Sequence, residues 1–348
     1  MRLFGLIVGM AAALTAHSVS AAPLAGADDA RCQKALAYSA ARRGAAVLVL
    51  RDGKPICEGY AGEGAPDHPM ELASGTKSFV GLMLAAAVQD GLVTLEEPVA
   101  KTLPEWKDDP RKAKVTIRQL LSLTSGMPST IGRPPTYADS VAMPLNAEPG
   151  TVFQYGPGPY MVFGEVMRRK LTAAGQPGDP YLYLKRRILD PIGLVPGRWR
   201  RLPNGDALLP QGAMLTVGEW VKAGEFVRAG GKWNGQQLVD PATFHALFVG
   251  SKVNPAYGIT WWLPNPTTSA DVVTAANDLS RHASEVPRDM VMAAGAGDQR
   301  LYVVPSKHLT IARIASFDPL RVVAVGGRRQ PQDGPKWSDA DFIRIFTD

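Results

Sequence analysis

Apolar and polar positions divide this chain into three stretches of different character. Residues 30–43 carry apolar side chains at helical spacing with few breakers. Two short apolar runs, 45–50 and 56–60, follow and are joined by Arg51-Asp52-Gly53-Lys54. That pattern predicts a helix and then a β-hairpin, with Asp-Gly supplying the turn. Residues 76–90 come next, with Phe79, Val80, Leu82, Met83, Ala86 and Val88 leaving almost no polar face, so this helix is expected in the interior. From about 100 to 255 the pattern is helical in pieces, at 115–124, 160–171, 181–189 and 217–229. The stretch 126–159 between the first two pieces is rich in proline and glycine. It is too long for a plain connector, so it reads as a functional rim, with disorder as the alternative. Beyond Tyr257 the spacing turns to strands, at 258–263, 289–293, 300–304, 309–315 and 322–325, before a closing helix at 339–346.

Strands that arrive early and late in the chain most simply share one antiparallel sheet. The expected fold class is therefore α+β: an antiparallel sheet flanked by the terminal helices (an α/β sandwich), with an inserted all-helical lobe. The α/β lobe takes residues of about 30–100 and 256–348, the helical lobe about 101–255, and the active site lies in the cleft between them. A length of 348 residues suits one two-lobed domain better than two unrelated ones. With 45% hydrophobic and 20% charged residues there is ample material for a core.

Residues 1–21 read as an address and 22–348 as the mature domain. Arg2 precedes an apolar run over 3–16 and then the small residues Val19-Ser20-Ala21-Ala22, as in a cleaved export signal. The run is shorter than the roughly 20 residues a bilayer span needs, so no stable membrane anchor is expected. An exported protein, periplasmic or secreted, follows. In an oxidising compartment Cys32 and Cys57 can close a disulfide, the alternative being two separate buried thiols. No Cys-x-x-Cys pair suggests zinc or redox chemistry, and neither metal nor cofactor is expected. The net charge of +6 drops to +5 once Arg2 leaves, a mild excess. Without a basic stripe interleaved with aromatics, nucleic acid is not an expected partner.

Candidate chemistry begins at Ser74-Gly75-Thr76-Lys77, at the mouth of the interior helix. Backbone N–H groups there favour negative charge, so the Ser74 amide can help hold an oxyanion. Lys77, one turn on, shares the face of Ser74, and burial would lower its pKa towards a useful base. The bland reading is a capping serine and a snorkelling lysine. Tyr155 sits in Phe153-Gln154-Tyr155-Gly156-Pro157-Gly158-Pro159-Tyr160, a loop stiff enough to hold a phenol over the cleft; the bland reading is an aromatic lid. Ala293-Ala294-Gly295-Ala296-Gly297-Asp298-Gln299 precedes a strand, and its small residues mark close backbone approach, so the Ala296 amide is a candidate second oxyanion donor; a plain hairpin turn at 296–299 is the alternative.

In this order these elements resemble the serine β-lactamase and penicillin-recognising superfamily, specifically its class C β-lactamase-like branch of carboxylesterases, D-alanyl-D-alanine carboxypeptidases and 6-aminohexanoate-dimer hydrolases. The resemblance covers roughly residues 30–348. It includes Leu120-Leu121-Ser122-Leu123-Thr124-Ser125-Gly126, Trp233-Asn234-Gly235-Gln236-Gln237-Leu238 and Tyr257-Gly258-Ile259-Thr260-Trp261-Trp262. It implies Ser74 as nucleophile, Lys77 as general base and Tyr155 as the tyrosine of a Tyr-x-Asn motif. Two positions depart from the pattern. Pro157 replaces the asparagine of that motif, and Ala293-Ala294-Gly295 stands where a Lys-Thr-Gly or His-x-Gly motif belongs. Pro157, Ala293, Ala294 and Gly295 are thus expected to line the cleft without a cation for a substrate carboxylate, which shifts the expected substrate from β-lactams towards esters or uncharged linear amides. A Ser-His-Asp arrangement is disfavoured, since no serine lies in Gly-x-Ser-x-Gly and His68, His245, His282 and His308 fall in loops or on polar helix edges. Two other readings compete: a low-turnover periplasmic binding protein on the same fold, and a true β-lactamase or D-alanyl-D-alanine carboxypeptidase.

Overall fold

The computed structural model describes residues 20–21, 27–131, 134–316 and 335–348. Most of the expected export segment and the strand expected at 322–325 lie outside the described residues. Helix α1 (Ala27–Ala40) leads into β2 (Gly44–Arg51) and β3 (Lys54–Tyr60), with the pair Ser20–Ala21 (β1) added along β3. Asp52 and Gly53 adopt φ of 52° and 74°, the positive values of a two-residue hairpin turn that matches the right-handed twist of its strands. Strands β9 (Val291–Gly295), β10 (Gln299–Val304) and β11 (Leu309–Ala315) come from the far end of the chain, and the antiparallel sheet runs β1-β3-β2-β11-β10-β9. Early and late segments therefore meet along the β2/β11 ladder, where Leu309 faces Arg51 and Arg313 faces Val47.

One face of this sheet is covered by α1 and the last helix, α10 (Asp339–Thr347). Across β2, β11 and β10 lies α7 (Val217–Arg228), so this helix packs with the sheet although its sequence falls among the middle helices. The close seat at Gly224, where a Cβ would meet Thr310 Cγ2 at 2.4 Å, shows how tightly it packs. Helix α2 (Lys77–Gln89) is buried from Lys77 to Ala87, as its lack of a polar face predicts. Around it the second lobe gathers α3 (Ile117–Leu121), α4 (Tyr137–Ala142), α5 (Gly158–Ala173) and α6 (Pro180–Leu184), with α8 (Pro241–Ala246) against α2. A small sheet, β4 (Met70–Glu71), β6 (Ala213–Leu215) and β5 (Arg198–Trp199), ties the segment before Ser74 to the middle of the chain. The strand pair β7 (Lys232–Trp233) and β8 (Gln236–Gln237) and helix α9 (Val272–Ala276) complete the described strands and α-helices.

The expected strand at 258–263 does not form. Tyr257 and Trp262 close an isolated bridge on each other, and Thr260 takes φ 70°, so the segment doubles back. Its alternating apolar residues serve burial instead, Ile259 and Trp261 being 1% exposed. Among the described residues of the expected rim at 126–159 is α4, started by a reciprocal cap between Thr136 and Asp139. Cys32 and Cys57 form a disulfide that staples α1 to β3. Among the described residues no helix is long and apolar enough to cross a membrane.

Candidate active site

Ser74 lies on a one-turn 3-10 segment, Ala73–Thr76, that leads directly into α2. The preceding Ala73 is held at φ 46°, a left-handed conformation that costs an alanine of order 1 kcal/mol and persists only where neighbours enforce it. Several do. The Leu72 amide donates to Ala213 O at 3.0 Å, the Ala213 amide donates to Thr76 Oγ1 at 3.1 Å, and Ser78 Oγ donates to Thr260 O at 3.0 Å. On the other side, β9 presses its last residue against the turn. A Cβ on Gly295 would fall 2.0 Å from Leu72 O and 2.9 Å from the Gly75 amide nitrogen, so only glycine fits there. Ala296 is the next residue in the chain.

Lys77 Nζ donates to Ser74 Oγ at 2.9 Å and to Pro210 O at 3.1 Å, and the side chain is 3% exposed. Around the nitrogen stand the rings of Tyr155 and Tyr160, with centroids at 4.9 and 5.4 Å. Burial with no carboxylate partner pulls its pKa down to about 7. The amine is therefore half neutral near pH 7, and its lone pair can accept the Ser74 proton while an N–H still donates to Pro210.

Tyr155 completes the group. Burial pushes the pKa of its phenol well up, and the neighbouring Ser74 hydroxyl partly offsets that rise. Its ring stacks on Trp262 at 5.7 Å and meets Tyr257 edge-on at 6.1 Å; Tyr257 in turn shares a 2.7 Å hydroxyl contact with Tyr160. The Tyr155 amide donates to Asp271 Oδ2 at 3.1 Å and Ser129 Oγ donates to the Tyr155 carbonyl. The loop behind it hangs on the Leu120–Gly126 strip: the Gln154 amide donates to Leu123 O and the Gly150 amide to Thr124 O. Pro157 is the cap of α5 and has no side-chain hydrogen bond to give, so the second acceptor at Lys77 is the Pro210 carbonyl.

Ser74, Lys77 and Tyr155 thus converge, with Gly295 against the serine turn and Ala293 and Ala294 on the same strand. Ala293 is fully buried and Ala294 partly so. Residues 296–298 do form the hairpin turn between β9 and β10. Sequence reasoning did not find Pro210, Asp271, Ser129 or the ring of Trp262. The only signal for Trp262 was the Tyr257–Trp262 run, whose place becomes clear in the fold: Trp262 exchanges backbone hydrogen bonds with Met292 of β9, at 2.9 and 3.0 Å, and so bridges that edge strand to Tyr155.

Known structures share this fold. A candidate beta-lactamase from Bacteroides dorei DSM 17855 superposes with a TM-score of 0.69 at 18% identity, covering 92% of this chain and 97% of that one. A candidate 6-aminohexanoate-dimer hydrolase from Bacillus anthracis superposes at 0.60 with 17% identity, covering 79% and 74%. Protein flp of Staphylococcus aureus is 30% identical over 150 residues, 36% of this chain; the match spans only 29% of that relative's length. The Beta-lactamase family model matches residues 29–312, which takes in both strand groups and the whole of the second lobe. The chain belongs to the Beta-lactamase family.

Proposed function

We propose that Ser74, Lys77 and Tyr155 hydrolyse an ester or an uncharged linear amide through an acyl-enzyme. The observation that carries this reading is the 2.9 Å contact between Ser74 Oγ and a buried amine whose pKa lies at about 7. In the acylation step Ser74 Oγ bonds to the substrate carbonyl carbon and its proton passes to neutral Lys77. The carbonyl oxygen takes negative charge facing the amides of Ser74 and Ala296. As the tetrahedral species collapses, the bond to the leaving group breaks and the proton reaches that group through the Tyr155 phenol, which its high pKa keeps protonated. Water then adds to the acyl carbon, gives a proton back along the same path, and the acid departs as Ser74 regains its hydrogen.

Substrate preference is read from the third strand. Ala293 and Ala294 offer no cation, and Arg300, opposite Ala294 in the ladder, spends its guanidinium on Asp339 and on backbone carbonyls. A substrate carboxylate would therefore be desolvated without a charged partner, which disfavours β-lactams and carboxylated peptides. The disulfide and the apolar leader support export to the periplasm or beyond.

Labelling with a fluorophosphonate and turnover of p-nitrophenyl esters test the reading together. Wild type is expected to label at Ser74 and to turn over, Ser74→Ala to do neither, and nitrocefin to remain uncleaved at micromolar protein. An unlabelled, inactive wild type would favour a binding protein on this fold.

A further inference from the structure

The peptide that links Gly295 to Ala296 has two ends of different consequence. Its N–H belongs to Ala296 and faces the serine turn in the reading above. Its carbonyl, on Gly295, accepts a hydrogen bond from Arg300 Nη1 at 3.2 Å, and the same nitrogen also donates to Gln299 O at 3.1 Å. Arg300 is 7% exposed, sits on β10 opposite Ala294, and is anchored from behind by Asp339 at the start of α10, with Nε donating to Oδ1 at 2.7 Å. Asp339 is itself held by the Tyr302 hydroxyl and by Trp337 Nε1 at 2.8 Å, so the anchor is rigid.

The rest of the hairpin is tied from the same quarter. Asp298, at φ 64°, gives its carboxylate to Arg43 at 3.2 Å and to Arg300 at 3.5 Å, and its carbonyl accepts from Arg313 Nη1. Gln299 pins the base of the turn to β11 by exchanging hydrogen bonds with Ala315 at 2.8 and 2.9 Å. Three arginines therefore converge on a three-residue turn, although Ala296 and Gly297 have no polar side chains that could be gripped. Arg43 holds the Asp298 carboxylate, Arg313 and Arg300 hold backbone carbonyls, and the carbonyl of Gly295 that Arg300 holds belongs to the peptide whose amide the reaction would use.

We infer that Arg300 is a positioning residue of the oxyanion hole, fixing and polarising the Gly295–Ala296 peptide so that the Ala296 N–H is aimed and strengthened as a donor. The inference rests on the hydrolase reading and adds a residue to it. A charge-assisted hydrogen bond to a peptide oxygen draws electron density from the nitrogen and makes its N–H a better donor, by an amount on the order of 10–30% per bond. Orientation matters more, because a donor displaced from the developing oxyanion loses its effect steeply with distance and angle. Arginine suits the task where lysine does not: its planar fork meets the carboxylate of Asp339 and two carbonyls at once, whereas an ammonium on a flexible stem gives up part of that set. The positive charge also reaches the site, since Arg300 is among the groups that oppose the rise of the Tyr155 pKa.

The test compares wild type with Arg300→Lys and Arg300→Met, using a p-nitrophenyl ester for kcat and KM and an aryl boronic acid, which mimics the tetrahedral oxyanion, for inhibition. Arg300→Lys is expected to lower kcat about tenfold or more with KM within threefold. Arg300→Met should approach the roughly 100-fold loss typical of a missing oxyanion donor. The inhibition constant of the boronic acid should rise by the same factor as kcat falls, which a merely structural role would not produce. Should Arg300→Met not fold, Arg300→Lys decides. A kcat within twofold of wild type, or a loss carried by KM with the boronic acid constant unchanged, overturns the positioning role while the hydrolase reading stands. A wild type that neither turns over the ester nor labels at Ser74 overturns both.

Discussion

At the residue scale, Lys77 carries the most testable physics. Its ammonium is penalised by burial alone, so the folded pKa lies below that of the unfolded chain, at about 7 against 10.5. Between those values the unfolded state binds the extra proton, so this group's contribution to stability improves as pH rises from about 7 towards 10.5 and is least favourable below 7. Turnover has the same sign for a different reason: the neutral amine is the base. The expected pH profile of kcat/KM on an uncharged ester is an ascending limb with a midpoint near 7, and Lys77→Met should lose at least about 100-fold of kcat and make stability less dependent on pH over 7–10. A flat profile, or a midpoint near 10, would mean that another group takes the proton. Tyr155→Phe should also lower kcat by about 100-fold without a change in melting, because the ring still packs on Trp262. The types and spacing of Ser74 and Lys77 were legible in the sequence because they lie one helical turn apart. The Pro210 carbonyl was not, because a backbone acceptor leaves no trace in residue identity.

At the scale of elements, the site depends on how closely β9 approaches the serine turn. Gly295 permits that approach, and Ala73 absorbs it in a strained backbone. Replacing Gly295 by alanine would drive a methyl into Leu72 O, so strand and turn must separate by the order of an ångström. About 100-fold loss of kcat/KM is expected, with fluorophosphonate labelling slowed to match and the far-UV spectrum kept. Normal labelling in Gly295→Ala would show that the oxyanion donors do not need this contact. The small residues of 293–297 announced close backbone approach beforehand. The segment 258–263 reads as a strand because alternation of apolar residues reports one buried face, whereas burial here comes from packing of Trp261 on Phe248 and of Trp262 on Phe153 and Tyr155, with no more than isolated bridges at Trp262. The Leu120–Gly126 strip was legible only as a resemblance; in the fold its carbonyls are the hooks for the Tyr155 loop.

For the whole molecule, the candidate site and the disulfide lie toward opposite edges of the sheet. The Cys32–Cys57 disulfide crosslinks α1 to β3, and in the order β3-β2-β11-β10-β9 that strand is four places from the one beside Ser74, roughly 19 Å at the usual strand spacing. It closes a loop of 25 residues, worth about 3 kcal/mol in the chain-entropy model. The Cys32→Ala/Cys57→Ala double variant should therefore melt lower by that order of stability while kcat changes less than twofold. A matching loss of kcat would indicate that the sheet transmits strain to β9.

Sequence alone determined the local chemistry: which segments are apolar on one face or on all, where a turn must take positive φ, which nucleophile lies one turn from which amine, and where small residues invite close approach. These follow from the periodicity of a single chain segment. Only the tertiary structure decided which distant segments share the site. Tyr155, Pro210, Trp262, Asp271, Gly295 and Arg300 are brought towards Ser74 by packing of two lobes and by pairing of β2 with β11, contacts between positions far apart in the chain. Such contacts are fixed by the summed burial of the whole core rather than by the identity of any one residue.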